Sequence, residues 1–327
     1  MRLRELYPLL RRLADGEFHS GQALAEAFGV TRAAIWKQVQ ALNEVPGIDI
    51  QSVRGKGYRL QQTLQLLDYG RISARLPEGA LAQLELLPET VSTNDWLRDQ
   101  ATPEVNSGRA CLAEYQRGGR GRRGRRWVCA FGSNIYLSLA WRFDLAMADL
   151  AGLSLAAGVG VARALEAHGL KGHGLKWPND IYLEGKKLGG ILVEASGEME
   201  GPALAIIGVG INLQLEKDVA AGIDQPWTDM ASALDCPVDR NLLCGDLLAG
   251  LIVTCRQFQN LGLSHFLDEW KAYDIHLGQR VELHLGSQVI PGIYRGLDER
   301  GGLVLETSGE ERSWYAGEVS LRSQENK

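Results

Sequence analysis

The residues with the most distinctive chemistry are QRGGRGRRGRRW, 116–127, whose ten central positions hold only Arg and Gly. Six cationic side chains on so short a backbone repel one another, which predicts a segment that settles only when an anion arrives. Gly118, Gly119, Gly121 and Gly124 remove Cβ atoms that would keep a ligand from the main chain, and they permit positive φ angles that turn N–H groups inward. Arg120, Arg122, Arg123, Arg125 and Arg126 can then offer planar forks to phosphate or carboxylate. Residues 119–124 also spell G-x-G-x-x-G, but a dinucleotide fingerprint needs a helix at the third glycine, and Arg125, Arg126 and Trp127 lead instead into an apolar strand-like run. RNA-binding Arg-Gly segments are usually long tails. This one is short and framed by ACLAEYQ and SNIYLSLAW, so a loop within a compact domain is the better reading.

Four other constellations have the chemistry of a binding site. Ser92-Thr93-Asn94 is placed to start a helix, where ordinary capping is the competing explanation. Lys176, in KWPND, follows a short apolar strand, and Trp177 beside it lowers the local dielectric, as suits a lysine that neutralises an anionic transition state. GVGIN, 208–212, ends an apolar strand with two glycines and an amide, suited to close backbone approach by a planar ring. Trp227, in the polar run DQPWTD, is either a loop anchor or a stacking platform. The sequence has no G-x-x-x-x-G-K-[ST], G-x-S-x-G or H-E-x-x-H, and no Cys beside a plausible His. One lysine, many arginines, polar amides and glycine strands instead suit acyl-adenylate chemistry, in which a carboxylate attacks the α-phosphate of ATP and the protein needs no nucleophile.

Positioning these groups requires a large core, and 327 residues at 45% hydrophobic and 23% charged suffice for two or three globular domains. Residues 1–60 carry nine Lys/Arg against six Asp/Glu within a chain of net charge −5, so a small basic module precedes an acidic body. In that module a short helix is predicted over 8–14 with Pro8 at its first position. Ser20 caps a second helix, Gly29 and Val30 break it, and Thr31 caps a third. Leu24, Ala25, Phe28, Val30, Ile35 and Val39 have the spacing to pack the last two together, and a hairpin tipped by Arg54, Gly55, Lys56 and Gly57 follows. This is a winged helix-turn-helix over 1–63, with Arg32, Trp36, Lys37 and Gln38 facing a major groove and Arg54 and Lys56 reaching phosphate. A helical protein-contact module with a solvated charged face is the other reading. Alternating strands and helices over 64–273, several joined by short turns, predict a mixed α+β sheet. Short Gly-bounded strands over 274–327 predict a small SH3-like β-barrel. Five cysteines without C-x-x-C fit reduced thiols and argue against a zinc site, so no protein-bound metal is predicted. With no run of eighteen apolar residues, neither a signal peptide nor a membrane span is expected, and the setting is cytoplasmic.

The ordered set GEFHSGQALAEAFGVTRAAIWKQVQAL, RGKGYRL, STN, EYQ with GRGRRGRRW, KWPND, KKLGGILVE and GVGIN resembles the family of bifunctional biotin protein ligases and biotin operon repressors, the BirA family, over nearly the whole chain. The resemblance implies ATP, Mg²⁺ and biotin as reactants. It implies a biotin carboxyl carrier protein of acetyl-CoA carboxylase and operator DNA as partners, and a homodimer formed when adenylate binds. Carried over by motif, Ser92, Thr93, Asn94, Gln116, Arg120, Gly121 and Arg122 contact biotin or its adenylate. Lys176 holds the biotin carboxylate and α-phosphate, with Arg120 and Arg122 assisting. Gly190 and Leu192 line the biotin pocket, Asn212 meets adenine, and Trp227 lies beside it. Arg117, Gly118 and Trp36 depart from the family pattern, which leaves adenylate retention and the operator sequence open. A ligand-sensing repressor without ligase activity and a lipoate-type ligase are the alternatives.

Overall fold

The computed structural model describes residues 2–100, 107–197, 201–215, 217–234 and 236–321. Leu3, Leu6, Leu9, Leu10 and Leu13 recur at helical spacing, and all are buried in α1 (Leu3–Leu13). The helix therefore starts well before Pro8, which lies inside it. Burying Leu3 and Leu6 contributes about 1.5–3 kcal/mol each, enough to offset the roughly 3 kcal/mol a helical proline costs. Ser20 and Thr31 accept from the N–H groups of Ala23 and Ala34, starting α2 (Gly21–Phe28) and α3 (Arg32–Asn43). Leu24, Ala25, Ile35 and Val39 join the predicted core, with Phe28 packed at its edge. Val30 does not: after Gly29, at φ 63°, the chain turns outward and leaves it 36% exposed. β1 (Ile50–Val53) and β2 (Gly57–Leu60) form the antiparallel hairpin, and His19 bridges to Tyr58 beside it.

The central region adds α4 (Tyr69–Ser73), β3 (Gln83–Leu87), α5 (Thr93–Asp99), β4 (Arg109–Ala113), β5 (Asn134–Phe143), α6 (Leu153–Ala167), β6 (His173–Lys176), β7 (Asp180–Leu183), β8 (Lys186–Gly197), β9 (Ala203–Asn212), α7 (Lys217–Ala220), α8 (Arg240–Leu261) and α9 (Ser264–Tyr273). Its seven strands run in the order β3-β4-β5-β9-β8-β7-β6. Only β3 and β4 pair in parallel, so the sheet is mixed, as the short turns of the sequence predict. The small residues of α6 and the apolar face of α8 pack into its core. Among the described residues one stretch, Met147–Ala167, is long and apolar enough to cross a membrane, but 67% of it is buried inside the fold, as befits a core helix.

The last region holds β10 (Arg280–Leu285), β11 (Gln288–Leu297), β12 (Leu303–Thr307), β13 (Glu310–Trp314) and β14 (Glu318–Leu321), antiparallel in the order β13-β12-β11-β10-β14. RSWYAGEVSL, which reads as one segment, is divided between β13 and β14. Residues 322–327 of this region lie outside the described residues. Trp177 is buried and its Nε1 donates to Gly301 O at 3.1 Å, which docks this small sheet beside the end of β6.

Candidate active site

Glycines in β9 form the floor of a cavity of about 650 Å³. A Cβ on Gly208 would lie 2.4 Å from Asn94 Oδ1, and one on Gly210 would lie 2.9 Å from Trp127 Cε2. Register places Leu192 opposite Gly208 and Gly190 opposite Gly210, so three glycines on two adjacent strands present a strip bare of side chains except for Leu192, and Asn94 and the Trp127 indole lie against it. Larger residues at Gly208 or Gly210 would collide with them.

Ser92, Thr93 and Asn94 do more than cap α5. Ser92 accepts from Asp95 N–H, but Thr93 donates both its N–H (2.8 Å) and its hydroxyl (3.1 Å) to Gln116 Oε1. Ser138 Oγ lies 2.7 Å from Thr93 Oγ1 and 2.6 Å from Asn94 Oδ1, while Asn94 Nδ2 donates to Glu194 Oε2 at 2.7 Å. All three are buried at 4% exposure or less and fixed by hydrogen bonds on several sides, which makes their orientation rigid.

The Arg-Gly loop is folded over this cavity, with four of its six arginines paired to the protein's own carboxylates. Arg120 donates bidentately to Asp95 and also to Glu194 at 2.9 Å, Arg117 pairs with Glu89, and Arg125 and Arg123 pair with Glu318. Burial opposes the charge of Asp95, but Arg120 and Arg98 outweigh it and hold its carboxyl below the usual range. Arg120 bridges to Arg126, and Trp127 N–H donates to Gly119 O at 2.8 Å. No helix follows Gly124, so the dinucleotide-type geometry is absent here. Of the four loop glycines, all of which permit positive φ, only Gly124 uses it, and the non-glycine Arg123 shares it. Gly119 serves close packing instead: a Cβ there would sit 2.9 Å from Cys129 Sγ.

Two lysines reach the cavity wall. Lys176, ending β6, donates to Tyr182 OH at 3.0 Å and lies over that ring, and burial pushes its ammonium below the usual range although Asp180 and Glu318 oppose the shift. Lys187, from β8, pairs with Asp180 at 2.8 Å and lies over the Trp127 ring. Arg122 is likewise pushed down by burial and donates to Asn179 Oδ1. The small C-terminal sheet closes the far side with His284, Glu318, Val319 and Ser320.

Of the residues singled out by sequence, Ser92, Thr93, Asn94, Gln116, Arg120, Gly121, Arg122, Lys176, Gly190 and Leu192 share this wall. Asn212 and Trp227 stand off it. Asn212 is buried and donates to Thr228 O, and Trp227 packs with Ala130, Leu215 and Ala220, so both pin the segment whose Gly222, Asp224 and Gln225 line the cavity. Trp227 packs as a loop anchor does. Sequence reasoning passed over Trp127, Ser138, Lys187, Glu194 and His284. Lys187 and Glu194 sat in a quoted motif, and Trp127 ends the Arg-Gly run. On the N-terminal module Arg32, Trp36, Lys37, Arg54 and Lys56 are exposed and Gln38 half-buried, with Trp36 at 53%.

Three family models match: an HTH domain over residues 4–59, the biotin/lipoate A/B protein ligase family over 86–212, and the biotin protein ligase C terminal domain over 276–322. Relatives named bifunctional ligase/repressor BirA, from Salmonella typhimurium and Escherichia coli, are 44% and 42% identical over 97% of this chain and 97% of their own length. The chain belongs to the BirA family. A biotin protein ligase from Aquifex aeolicus, solved in complex with biotin and ATP, superposes with a TM-score of 0.62 at 30% identity, covering 74% of this chain and 99% of that one. Across the BirA-type chain, then, all three regions expected from the sequence have counterparts in known proteins.

Proposed function

We propose that this protein activates biotin with ATP to biotinyl-5′-AMP, transfers the biotinyl group to a lysine of a carboxyl carrier domain, and represses transcription when it holds the adenylate. The observation that carries this reading is the convergence, on one glycine floor, of a rigid polar cluster, a polycationic loop and two lysines. Ser92, Thr93, Asn94, Gln116 and Leu192 surround a neutral polar ring, biotin's ureido head. The flat strip at Gly190 and Gly210, with Trp127, accepts the adenine side. Lys187, beside that strip, and Lys176 and Arg122, further out, face the carboxylate and phosphates. There the carboxylate oxygen attacks the α-phosphorus as the P–O bond to pyrophosphate breaks, and fixed cations stabilise the charge that develops. The carrier's neutral amine then attacks the acyl carbon, loses a proton, and expels AMP. Arg120 exchanges its carboxylate partners for the adenylate and keeps it under the loop.

Mg²⁺ binds proteins through one or two carboxylates plus substrate phosphates, and Asp180, on the wall beside both lysines, fits as the protein's contribution. When bound it neutralises phosphate charge. Repression rests on the N-terminal module, whose α3 enters a major groove with the wing on phosphate, and on an adenylate-bound homodimer that spaces two such modules on an operator. The protein works in the cytoplasm and binds no membrane.

Incubation with biotin, ATP, Mg²⁺ and a carrier domain should add one biotinyl group to the carrier by mass spectrometry. An unmodified carrier alongside adenylate-dependent DNA binding would leave the sensing repressor without ligase activity. Because the matched family model also covers lipoate ligases, competition for adenylate formation decides between the acids: lipoate should not displace biotin.

A further inference from the structure

His284 is a titratable side chain on the cavity wall that the scheme above leaves without a task. It belongs to β10 of the C-terminal sheet, and its Nε2 lies 2.9 Å from Ser320 Oγ on β14 and 3.8 Å from Glu282. The wall it shares is the polyphosphate end by charge. Arg125 and Arg123 reach it through Glu318, and Lys176 and Arg122 lie within electrostatic reach of that same carboxylate. Glu318 cannot contact phosphate favourably, because like charges repel. His284 and Ser320 are the polar pair beside it.

We propose that His284, held by Ser320, is a binding residue for the leaving pyrophosphate group of ATP. Either tautomer of His284 leaves the pair with a donor. If Nε2 donates to Ser320 Oγ, the hydroxyl proton is free to be given to a phosphate oxygen. If Nε2 accepts from the hydroxyl, the proton is on Nδ1 and is free instead. Either way one neutral donor remains for an oxyanion, and no proton need be transferred as the α,β P–O bond breaks. Biotinyl-AMP lacks the β- and γ-phosphates, so the contact acts in the first half-reaction and not in the second. This rests on the ligase reading, which fails separately: wild-type protein would then form no adenylate at all.

The test separates the half-reactions. His284→Leu should raise KM for ATP in adenylate formation about tenfold or more, the size of one lost hydrogen bond to a charged group. It should raise KM for inorganic pyrophosphate in the reverse reaction similarly. Single-turnover transfer from preformed biotinyl-AMP to the carrier should stay unchanged, and His284→Gln, which keeps a donor, should restore much of the affinity for ATP. A parallel loss in both half-reactions would reduce His284 to a packing residue. An ATP KM unmoved in the Leu variant would remove the contact altogether.

Discussion

The fold weakens the hold of Lys176 on its proton. Burial pushes its pKa below the usual 10.5, and a lowered value means the proton leaves at a lower pH. The charged form, which attracts phosphate, is therefore complete below the folded value and lost as pH rises through it. For adenylate formation, kcat/KM should show an alkaline limb with its midpoint below 10.5. Lys176→Arg, charged at all accessible pH, should abolish that limb. Lys176→Ala should lose about a hundredfold in rate, roughly the 3 kcal/mol of one strong electrostatic donor, and show no limb either. An unchanged limb in the alanine variant would assign it to a different group, with Lys187 the next to replace.

The β8–β9 pair explains why some of the site could be read from sequence and some could not. Gly208 and Gly210 were legible, because a glycine inside an apolar strand has few explanations other than close approach. A methyl group at Gly208 must move Asn94, which lies 2.4 Å from where it would sit. Gly208→Ala should therefore weaken biotin binding in calorimetry by about 1–3 kcal/mol, the size of an overpacking strain. Retained affinity would show that Asn94 is not part of the pocket. Ser92-Thr93-Asn94 was legible as a cap, but its tie to Ser138 was not, since Ser138 is an ordinary strand residue placed by the β5–β9 register alone. Asn212 is the opposite case, a motif residue whose side-chain amide donates to Thr228 O and so ties down a loop, which its sequence position does not reveal. The helix-turn-helix caps were readable locally, whereas Pro8 misled because tertiary burial, invisible in sequence, overrode its preference. The wing was readable too, and Arg54→Ala should reduce the slope of log affinity against log salt by about one, uniformly across DNA sequences. A change confined to one sequence would instead make Arg54 a base reader.

How the DNA-binding module is joined to the catalytic sheet could not be read from QQTLQLLD, which lacks the composition of a flexible linker but gives no partner. The partners are Glu114 and Arg240, each 1% exposed and paired with one another. Glu114 Oε1 accepts from Leu67 N–H at 2.6 Å and from Tyr7 OH at 3.2 Å, so it holds both the connection and α1. Arg240 donates to Gln65 O and to Asn134 O, each at 3.0 Å, and Asn241 brackets Leu66 and Asp68. On the other side of the Arg-Gly loop, Phe131 is buried in the core of the N-terminal module and its N–H donates to Pro46 O at 2.7 Å. The loop that covers the cavity thus leaves and re-enters the fold at residues that hold the DNA-binding module in place. Burying two charges is costly, and a pair of this kind need not stabilise the fold relative to an apolar replacement. Removing one partner is different, because the other charge is stranded without water. Glu114→Ala should lose about 3–5 kcal/mol in denaturant unfolding, and the Glu114→Leu, Arg240→Met double variant should recover most of it. The double variant should nonetheless be cut faster by protease between residues 61 and 68, since Leu67 N–H and Gln65 O have lost their partners. Unchanged cleavage would show that apolar packing around Phe131 alone sets the orientation of the two parts.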